Sequence, residues 1–270
     1  MSSDMRLTRT LRAEWTKLRS VPSTTWTAIA VVGVTVGVTA FLTAVGHTDA
    51  NTNANKFGGP GDDDVVVNAL RGAWLGQAAM VVLGALAMTS EFASGTIRAT
   101  FAATPRRDVA FGAKAAVVGA AALVLGSVSS VLSFVIAQPL LHEGGYNPPA
   151  YPHVSLMDPS PLRAVLGTAL FLTLLALFAT GVVAIVRHTV AAMTIVVGLV
   201  LVPTVVTGFF TGAIRTLFQT IAPAAGLSIQ VTRERLDNPP FGPWVGLGIT
   251  AAWAVAALVI GGWALRRRDA

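Results

Sequence analysis

The sequence predicts an all-α membrane protein with six transmembrane helices. Hydrophobic residues make up 53% of the chain and charged residues only 12%, whereas about a quarter of the residues in a soluble domain are charged. Six apolar stretches reach the roughly 20 residues that a helix needs to cross the hydrocarbon core. Basic residues are abundant in every second connection, as in a chain that crosses the membrane repeatedly. We therefore treat residues 1–270 as a single membrane domain.

The six predicted spans, in chain order, cover residues 25–45, 70–89, 109–137, 162–186, 190–210 and 243–265. The third is the longest, so we expect it to tilt or to extend its first turns beyond the lipid. A cleaved signal peptide is disfavoured for the first span because patterned sequence of about 20 residues precedes it and the apolar run is too long.

The distribution of basic residues predicts the orientation of the chain. Thirteen lysines and arginines lie before the first span, after the last and in alternate connections, against six in the other connections. Lysine and arginine accumulate on the cytoplasmic side of short loops. Both termini are therefore predicted to lie in the cytoplasm and the chain in the cell membrane, with no nucleic-acid partner for its charge of +6.

An amphipathic helix in the cytoplasmic membrane interface is predicted at residues 5–20. Leu7, Leu11, Trp15 and Leu18 recur at helical spacing and share one face, with basic residues elsewhere on the wheel. Pro22 is predicted to end this helix. Ser23 is predicted to cap the first span. The residues expected to contact the interface or a partner are Glu14, Trp15, Lys17 and Arg19.

Glu14 falls within the apolar sector of this predicted helix, which is unusual for a carboxylate. One interpretation is an ion pair with Lys17, or an acid whose head group reaches towards water. The other is a contact with a polar partner beneath the membrane. The sequence leaves both open.

The chain lacks the motifs of an enzyme. It has no cysteine, and its four histidines show no metal-ligand spacing. Asp62, Asp63 and Asp64 lack the alternating ligands of a calcium loop, so a solvated acidic loop is expected there. No Gly-Lys pair occurs, which excludes a P-loop. We predict no catalytic residue, no metal site and no cofactor on this chain, and ATP would have to bind another polypeptide.

The centres of the predicted spans contain no ionisable residue, which disfavours an ion-coupled carrier. The most buried strongly polar side chain is expected to be Gln77. The candidates for a substrate path are Gln77, Thr35, Thr39 and Thr194. Three pairs of glycines are suited to close helix packing, within one chain or between copies. They are Gly33 and Gly37 in the first span, Gly119 and Gly126 in the third, and Gly242 and Gly246 at the start of the sixth.

The connection at residues 211–242 is predicted to lie on the exterior side as a re-entrant or interfacial hairpin. Ile214, Leu217, Phe218 and Ile221 predict a short amphipathic helix that Pro223 ends. Further apolar residues follow. Irregular backbone at membrane depth must be covered by protein or water.

Several of these features together resemble the permease subunit of type-2 ABC (ATP-binding cassette) transporters, which are mostly exporters. The resemblance covers the full length of the chain. It rests on LRAEWTKLRSVPSTTW near the amino terminus, EFASGTIR and TPRR between the second and third spans, and APAAG before the sixth. It implies a dimer of permeases, each bound to a separate ATPase subunit that holds ATP and magnesium, with the substrate path along the dimer interface.

The resemblance makes residues 90–108 the cytoplasmic coupling segment that docks on the ATPase. It assigns this role to Glu91, Gly95, Thr96, Arg98, Thr104, Pro105, Arg106 and Arg107. Among their neighbours, Ser94 is small enough for close approach, and Ile97 and Phe101 offer apolar contact one turn apart. The alternative is a positively charged loop that only fixes the topology.

The competing hypothesis for the whole chain is an ATP-independent multi-pass membrane protein, either a secondary carrier or an assembly factor. Spans without interior charge suit an amphipathic peptide, a lipid-like compound or a drug better than an ion. The sequence is compatible with a homodimer and with a heterodimer.

Overall fold

The computed structural model describes residues 3–20, 22–53, 64–93, 107–148, 151, 153–210, 212–233 and 238–267. In these ranges the chain is helical with short connections and contains no strand, which confirms the all-α prediction for this part of the chain. The helices are α1 Ser3–Ser20, α2 Pro22–Asn53, α3 Val65–Ala69, α4 Ala73–Ala93, α5 Arg107–Glu143, α6 Pro159–Val186, α7 Thr189–Phe209, α8 Gly212–Ile221, a 3-10 helix Pro223–Gln230 and α9 Pro243–Arg267.

Within the described ranges, four helices are long and apolar enough to cross a membrane. They are α2, α5, α6 and α9, with the apolar stretch of α2 running from Ser23 to Val45. The apolar parts of α4 (Ala73–Thr89) and α7 (Val190–Pro203) are shorter. Many large apolar side chains point outwards along these helices, and such surfaces need lipid or another protein to cover them. The protein is therefore embedded in a membrane and crosses it several times.

Helix α6 forms the centre of the bundle, packing against α4, α5, α7 and α9. Phe171, Leu172 and Leu175 on this helix are fully buried. Gly84 of α4 lies directly against the backbone of Ala176, and the Thr180 hydroxyl donates to the carbonyl of Gly84 at 3.0 Å. The small residues of α6 thus let neighbouring backbones approach closely, as is common between helices in lipid.

Helices α4 and α9 both run in the same direction as α6. Gln230 donates to the Leu70 carbonyl just before α4 and to the Thr168 hydroxyl early in α6, while Gly84 meets α6 further along at Ala176. On the other side Phe178 packs edge-on against Trp253, with ring centroids 5.9 Å apart. One turn further, Gly181 meets Ala257.

Helix α2 runs opposite to α4, and α5 runs opposite to α6. The backbone N–H of Gly72 donates to the Thr39 hydroxyl at 3.0 Å, and Thr35 lies against Gly76 four residues further along α4. Gly119 and Gly126 of α5 lie beside Leu177 and Ala169 of α6, respectively. Helices α4, α6 and α9 thus run in one direction, and α2 and α5 run in the other.

Helices occupy all six predicted apolar stretches, with observed ends generally within a few residues of the predicted ones. The structure differs from the prediction in several local features. Pro22 begins α2, so Ser23 lies inside its first turn, where the Ser23 carbonyl accepts from Thr27. Helix α3 was not predicted, and α2 extends eight residues beyond Val45, the predicted end of the first span.

Candidate functional sites at the two ends of the bundle

A buried ion pair joins α1 to α5 at one end of the bundle, which we call the α1 end. The carboxylate of Glu14 accepts from Lys114 Nζ at 2.7 Å and from Lys17 Nζ at 2.8 Å. The side chains of Glu14 and Lys114 are only 5% and 10% exposed, whereas that of Lys17 is 43% exposed. The ion pair of Glu14 with Lys17 is therefore present, and Lys114 of the same chain is a second, more buried partner. Contact of Glu14 with a polar partner beneath the membrane stays a prediction.

Lys114 also reaches a third helix. Its ammonium group donates to the carbonyl of Ala87 near the end of α4, at 3.4 Å. The α1-end cluster of Glu14, Lys17, Lys114 and the Ala87 carbonyl therefore links α1, α4 and α5. A buried charge needs such partners, since an isolated one would shift its pKa and become neutral.

The cluster keeps Glu14 ionised. Burial of the carboxyl favours its neutral form, but the ammonium groups of Lys114 and Lys17 outweigh burial and hold the pKa of Glu14 below its ordinary value of 4.5. The carboxylate is therefore fully charged at neutral pH, and the interhelix ion pair is intact there.

Most of the predicted coupling segment, residues 94–106, lies outside the described residues. Those positions are Ser94, Gly95, Thr96, Ile97, Arg98, Phe101, Thr104, Pro105 and Arg106. Glu91 lies in the last turn of α4 and Arg107 begins α5. The segment thus connects the two helices that Lys114 links at the α1 end. Of the other candidates on α1, Trp15 and Arg19 are exposed.

The predicted path residues occupy different environments. Thr35 and Thr39 are fully buried at the contact of α2 with α4. Gln77 is also fully buried, and neither atom of its amide has a hydrogen-bond partner among the described residues. Thr194 is exposed on α7 and donates to its own helix at Val190. None of the four lines the cavity described below.

At the opposite end, Asp64 anchors the connection that precedes α9. One carboxylate oxygen caps α3 by accepting from the N–H groups of Val66 and Val67, at 3.0 and 3.2 Å. The Thr232 hydroxyl donates to the same oxygen at 2.8 Å. The other oxygen accepts from the N–H groups of Thr232 and Arg233, at 2.6 and 3.0 Å. Asp64 is 5% exposed, so the expected solvated acidic loop is wrong at this residue, while Asp62 and Asp63 lie outside the described residues.

The 3-10 helix that begins within the APAAG motif, at Pro223, is packed between α6 and α9. Its buried residues include Pro223, Gly226 and Ile229. The Thr250 hydroxyl of α9 donates to the Pro223 carbonyl at 2.6 Å and accepts from the Gly226 N–H at 3.0 Å. The predicted amphipathic helix before Pro223 is confirmed as α8, on which Ile214, Leu217 and Ile221 are exposed. The residues after Pro223 thus form an ordered element seated on two helices of the bundle.

A cavity of about 450 Å³ opens between this element and the neighbouring helices. Its walls include Leu42 of α2, Trp74 of α4, Pro203 of α7 and Phe218 of α8. Two cations, Arg71 and Arg215, also line it, and its lining contains no carboxylate among the described residues. We refer to it as the Asp64-end cavity.

In the part of the chain that the structure describes, no three His, Asp or Glu side chains are grouped to hold a metal ion. What the described residues offer chemically is a charged link among three helices at one end and a cationic, mainly apolar cavity at the other.

No protein-family model matches this chain, and no curated protein matches it with significance.

The ion pair of Glu14 with Lys114 and the Asp64-end cavity were only partly predictable from the sequence. Lys114 lies in the first turns of the predicted third span, and nothing in the sequence pairs it with a residue 100 positions earlier. The only signal that pointed towards this ion pair was the unusual position of Glu14 within an apolar sector. The cavity had no signal, because its lining comes from several separate elements.

Proposed function

We propose that the chain is the permease subunit of an ATP-driven exporter of the type-2 ABC class. It would form the substrate path as a dimer and be driven by a separate ATPase subunit. In this proposal the chain has six spans, α2, α4, α5, α6, α7 and α9, with both termini and the α1 end in the cytoplasm. The connection before α9 would then be a re-entrant or interfacial hairpin on the exterior side.

Helix directions support six spans. Because α6 and α9 are parallel neighbours, the chain must return across the bundle between them, and α7 is the helix available for that return. Likewise α4 runs parallel to α6 and packs against it at Gly84. Helices α4 and α7 have 21 residues each. At 1.5 Å per residue each is about 31 Å long, which is close to the hydrocarbon thickness.

The observation that carries the proposed coupling is the cluster at the α1 end. Lys114 binds Glu14 on α1 and the carbonyl of Ala87 on α4, and it belongs itself to α5. Residues 94–106 connect the same α4 to the same α5. A partner that pushes on this segment would therefore move three helix ends together rather than bend one loop. Rigid movement of helices about an interface is a common way to transmit such a signal.

The test is purification in mild detergent from cells that contain the partner genes. We expect an ATPase of about 30 kDa to copurify, and its ATP hydrolysis in reconstituted vesicles to depend on the permease. Glu91→Gln and Arg98→Ala should abolish this stimulation while membrane expression stays normal. Arg266→Ala, an exposed position at the same membrane face in our topology, serves as the matched control and should leave stimulation unchanged.

The competing hypothesis gives different results. A carrier or assembly factor would purify without an ATPase, and any transport would persist in vesicles without ATP. Normal stimulation in both coupling-segment variants would also remove the assignment of residues 90–108 as the docking site.

A further inference from the structure

Two histidine rings lie side by side at the end of the bundle at which Asp64 lies. His142 is in the last turn of α5, and His153 is in the connection between α5 and α6. The centroids of the two imidazole rings are 5.1 Å apart, and the ring planes are inclined by 51°. Asn68 of α3 donates to the Tyr146 hydroxyl of the same connection at 3.3 Å, which places the pair at this end.

The tautomer and orientation of the His142 ring are held by Asn147. Nδ1 of His142 lies 2.7 Å from the side-chain oxygen of Asn147. An amide oxygen can only accept a hydrogen bond, so Nδ1 carries the proton. Asn147 is fixed in turn, because its side-chain nitrogen donates to the His142 carbonyl at 3.0 Å. The lone pair of the neutral ring is therefore on Nε2, and histidines that bind metals have this same arrangement.

The segment that contains His153 is packed against α5. Gln138 lies four residues before His142, on the same face of α5, and donates to the Val154 carbonyl at 3.1 Å. Val154 itself packs against buried side chains of the bundle. Gln138 thus holds the residue next to His153 against the helix that carries His142. The two rings are therefore together before any ligand binds, which lowers the cost of binding.

The separation of the rings fits a shared metal ion. A tetrahedral zinc ion with Zn–N bonds of about 2.0–2.1 Å places the centres of two ligating imidazole rings roughly 5 Å apart. His153 is exposed and His142 partly exposed, so water can reach the pair and supply further ligands. Imidazole suits zinc, copper and nickel, whereas Ca²⁺ and Mg²⁺ take oxygen ligands.

We infer that His142 and His153 bind one divalent transition-metal ion through their imidazole nitrogens, with water completing the coordination. On His142 the ligating atom is Nε2. The sequence predicts no metal site because eleven residues separate the two histidines, a spacing without a metal-binding motif. The bound ion would tie the end of α5 to the connection that leads into α6, independently of the proposed function.

Binding is tested by calorimetric titration of Zn²⁺ into the purified full chain in a non-ionic detergent, after removal of any histidine tag. We expect one Zn²⁺ per chain and no binding of Mg²⁺ at the same concentrations. His142→Ala and His153→Ala should each lower the affinity for Zn²⁺ at least about 10-fold. His188→Ala, at an exposed histidine between α6 and α7, is the matched control and should leave the affinity unchanged.

Asn147 is tested as a positioning residue. Asn147→Ala should lower the affinity for Zn²⁺ about 10-fold, as is typical when the partner of a metal-binding histidine is removed. Asn147→Asp keeps an acceptor oxygen beside Nδ1 and should bind Zn²⁺ more tightly than Asn147→Ala. Equal affinities of these two variants would contradict the role of Asn147.

A second probe counts the nitrogen ligands directly. With Cu²⁺, the electron paramagnetic resonance spectrum should show coupling to two nitrogens in the wild type and to one in His153→Ala. Thermal unfolding without metal verifies that each variant is folded, and Zn²⁺ should raise the midpoint temperature of the wild type but not of the two histidine variants. Because His153 is exposed, its substitution should not disturb the fold.

Three results would overturn the inference. They are a folded wild type that does not bind Zn²⁺, wild-type affinity for Zn²⁺ in His153→Ala, and a loss of affinity in His188→Ala as large as in the other two histidine variants. The first would show that the two rings are in aromatic contact only. The other two would place the ion elsewhere on the chain.

Discussion

The carboxylate of Glu14 would be unfavourable in an apolar helix face if it were alone, because burial of an uncompensated charge is costly. The opposite charge that compensates the carboxylate comes from Lys114, whose side chain is nearly as buried as that of Glu14. Truncating one member of such a pair leaves the other charged and without that partner. The resulting loss of folding free energy exceeds the net contribution of the intact pair. The pair therefore fixes α1 against α5 even if its net contribution is small.

The buried pair predicts the outcome of a double-mutant cycle. Glu14→Gln should lower the free energy of unfolding by about 2 kcal/mol, since a charged hydrogen bond is lost in a buried setting. Lys114→Met should cost a similar amount, and the double variant should be less destabilised than the sum by about 1–2 kcal/mol. Unfolding in mixed micelles followed by tryptophan fluorescence measures each value. Lys17→Met removes the more exposed partner and should lower the free energy of unfolding by no more than about 0.5–1 kcal/mol. If the effects of Glu14→Gln and Lys114→Met on this free energy were additive, the buried pair would be contradicted.

The same carboxylate predicts a dependence on pH. Because Lys114 and Lys17 lower the pKa of Glu14 below 4.5, its contribution to stability is fully present above that value and is lost as the pH falls through the lowered pKa. The difference between wild type and Glu14→Gln in the midpoint temperature of thermal unfolding should therefore stay constant from about pH 7 to pH 5. It should narrow only at pH values below 4.5. Narrowing that begins near neutrality would indicate a raised pKa, contrary to the geometry.

At the scale of helices, apolar length was a sufficient signal for the main elements. Each stretch of about 20 apolar residues became a helix, because the backbone in lipid has to satisfy its hydrogen bonds internally. Helix α3 could not be predicted in this way. Its five residues include three consecutive valines, which favour strands on their own. It is stabilised instead by the local Asp64 cap and by burial of Val65 and Val66. The burial depends on distant parts of the chain.

Glycine spacing identified some close contacts and missed others. Of the glycines singled out in the sequence, Gly126 and Gly246 do lie against a neighbouring backbone, whereas a methyl group added at Gly33, Gly37 or Gly242 would meet no atom within 4 Å. The tight crossing at Gly84 had no partner glycine to mark it. Small-residue patterns thus indicate where approach is possible, while the fold decides which faces meet.

A matched pair of substitutions tests this distinction. In Gly84→Ala the new methyl group would overlap the carbonyl oxygen of Ala176, and backbone at the centre of the bundle cannot move cheaply. We expect a loss of about 1–3 kcal/mol in the free energy of unfolding. In Gly37→Ala the added methyl group would contact no atom within 4 Å. This substitution should therefore be neutral or stabilise α2 by up to about 1 kcal/mol. Equal effects of the two substitutions would show that α4 and α6 are not in close contact.

For the whole molecule, the sequence predicted the class of protein but not the arrangement of its candidate sites. Composition and apolar length were enough for a multi-pass helical membrane protein, because both follow directly from the solvent. The α1-end cluster and the Asp64-end cavity required knowledge of which helices are neighbours. Asp64 illustrates the limit, since it bonds to residues about 170 positions away and looks in the sequence like part of an acidic loop.

Whether α4 and α7 cross the membrane can be decided by labelling, because the chain has no cysteine of its own. Single cysteines at Met157 and His188, both exposed, should react with an impermeant maleimide from opposite sides. With six spans, Met157→Cys is labelled in intact cells and His188→Cys only in inverted vesicles. If only α2, α5, α6 and α9 cross, both assignments reverse, since the chain then lacks one crossing before each position. Thr220→Cys reports the exterior and Arg266→Cys the cytoplasm with either number of spans, so these two variants verify the orientation of the vesicles. A reversed labelling pattern at Met157→Cys and His188→Cys would contradict six spans and indicate four.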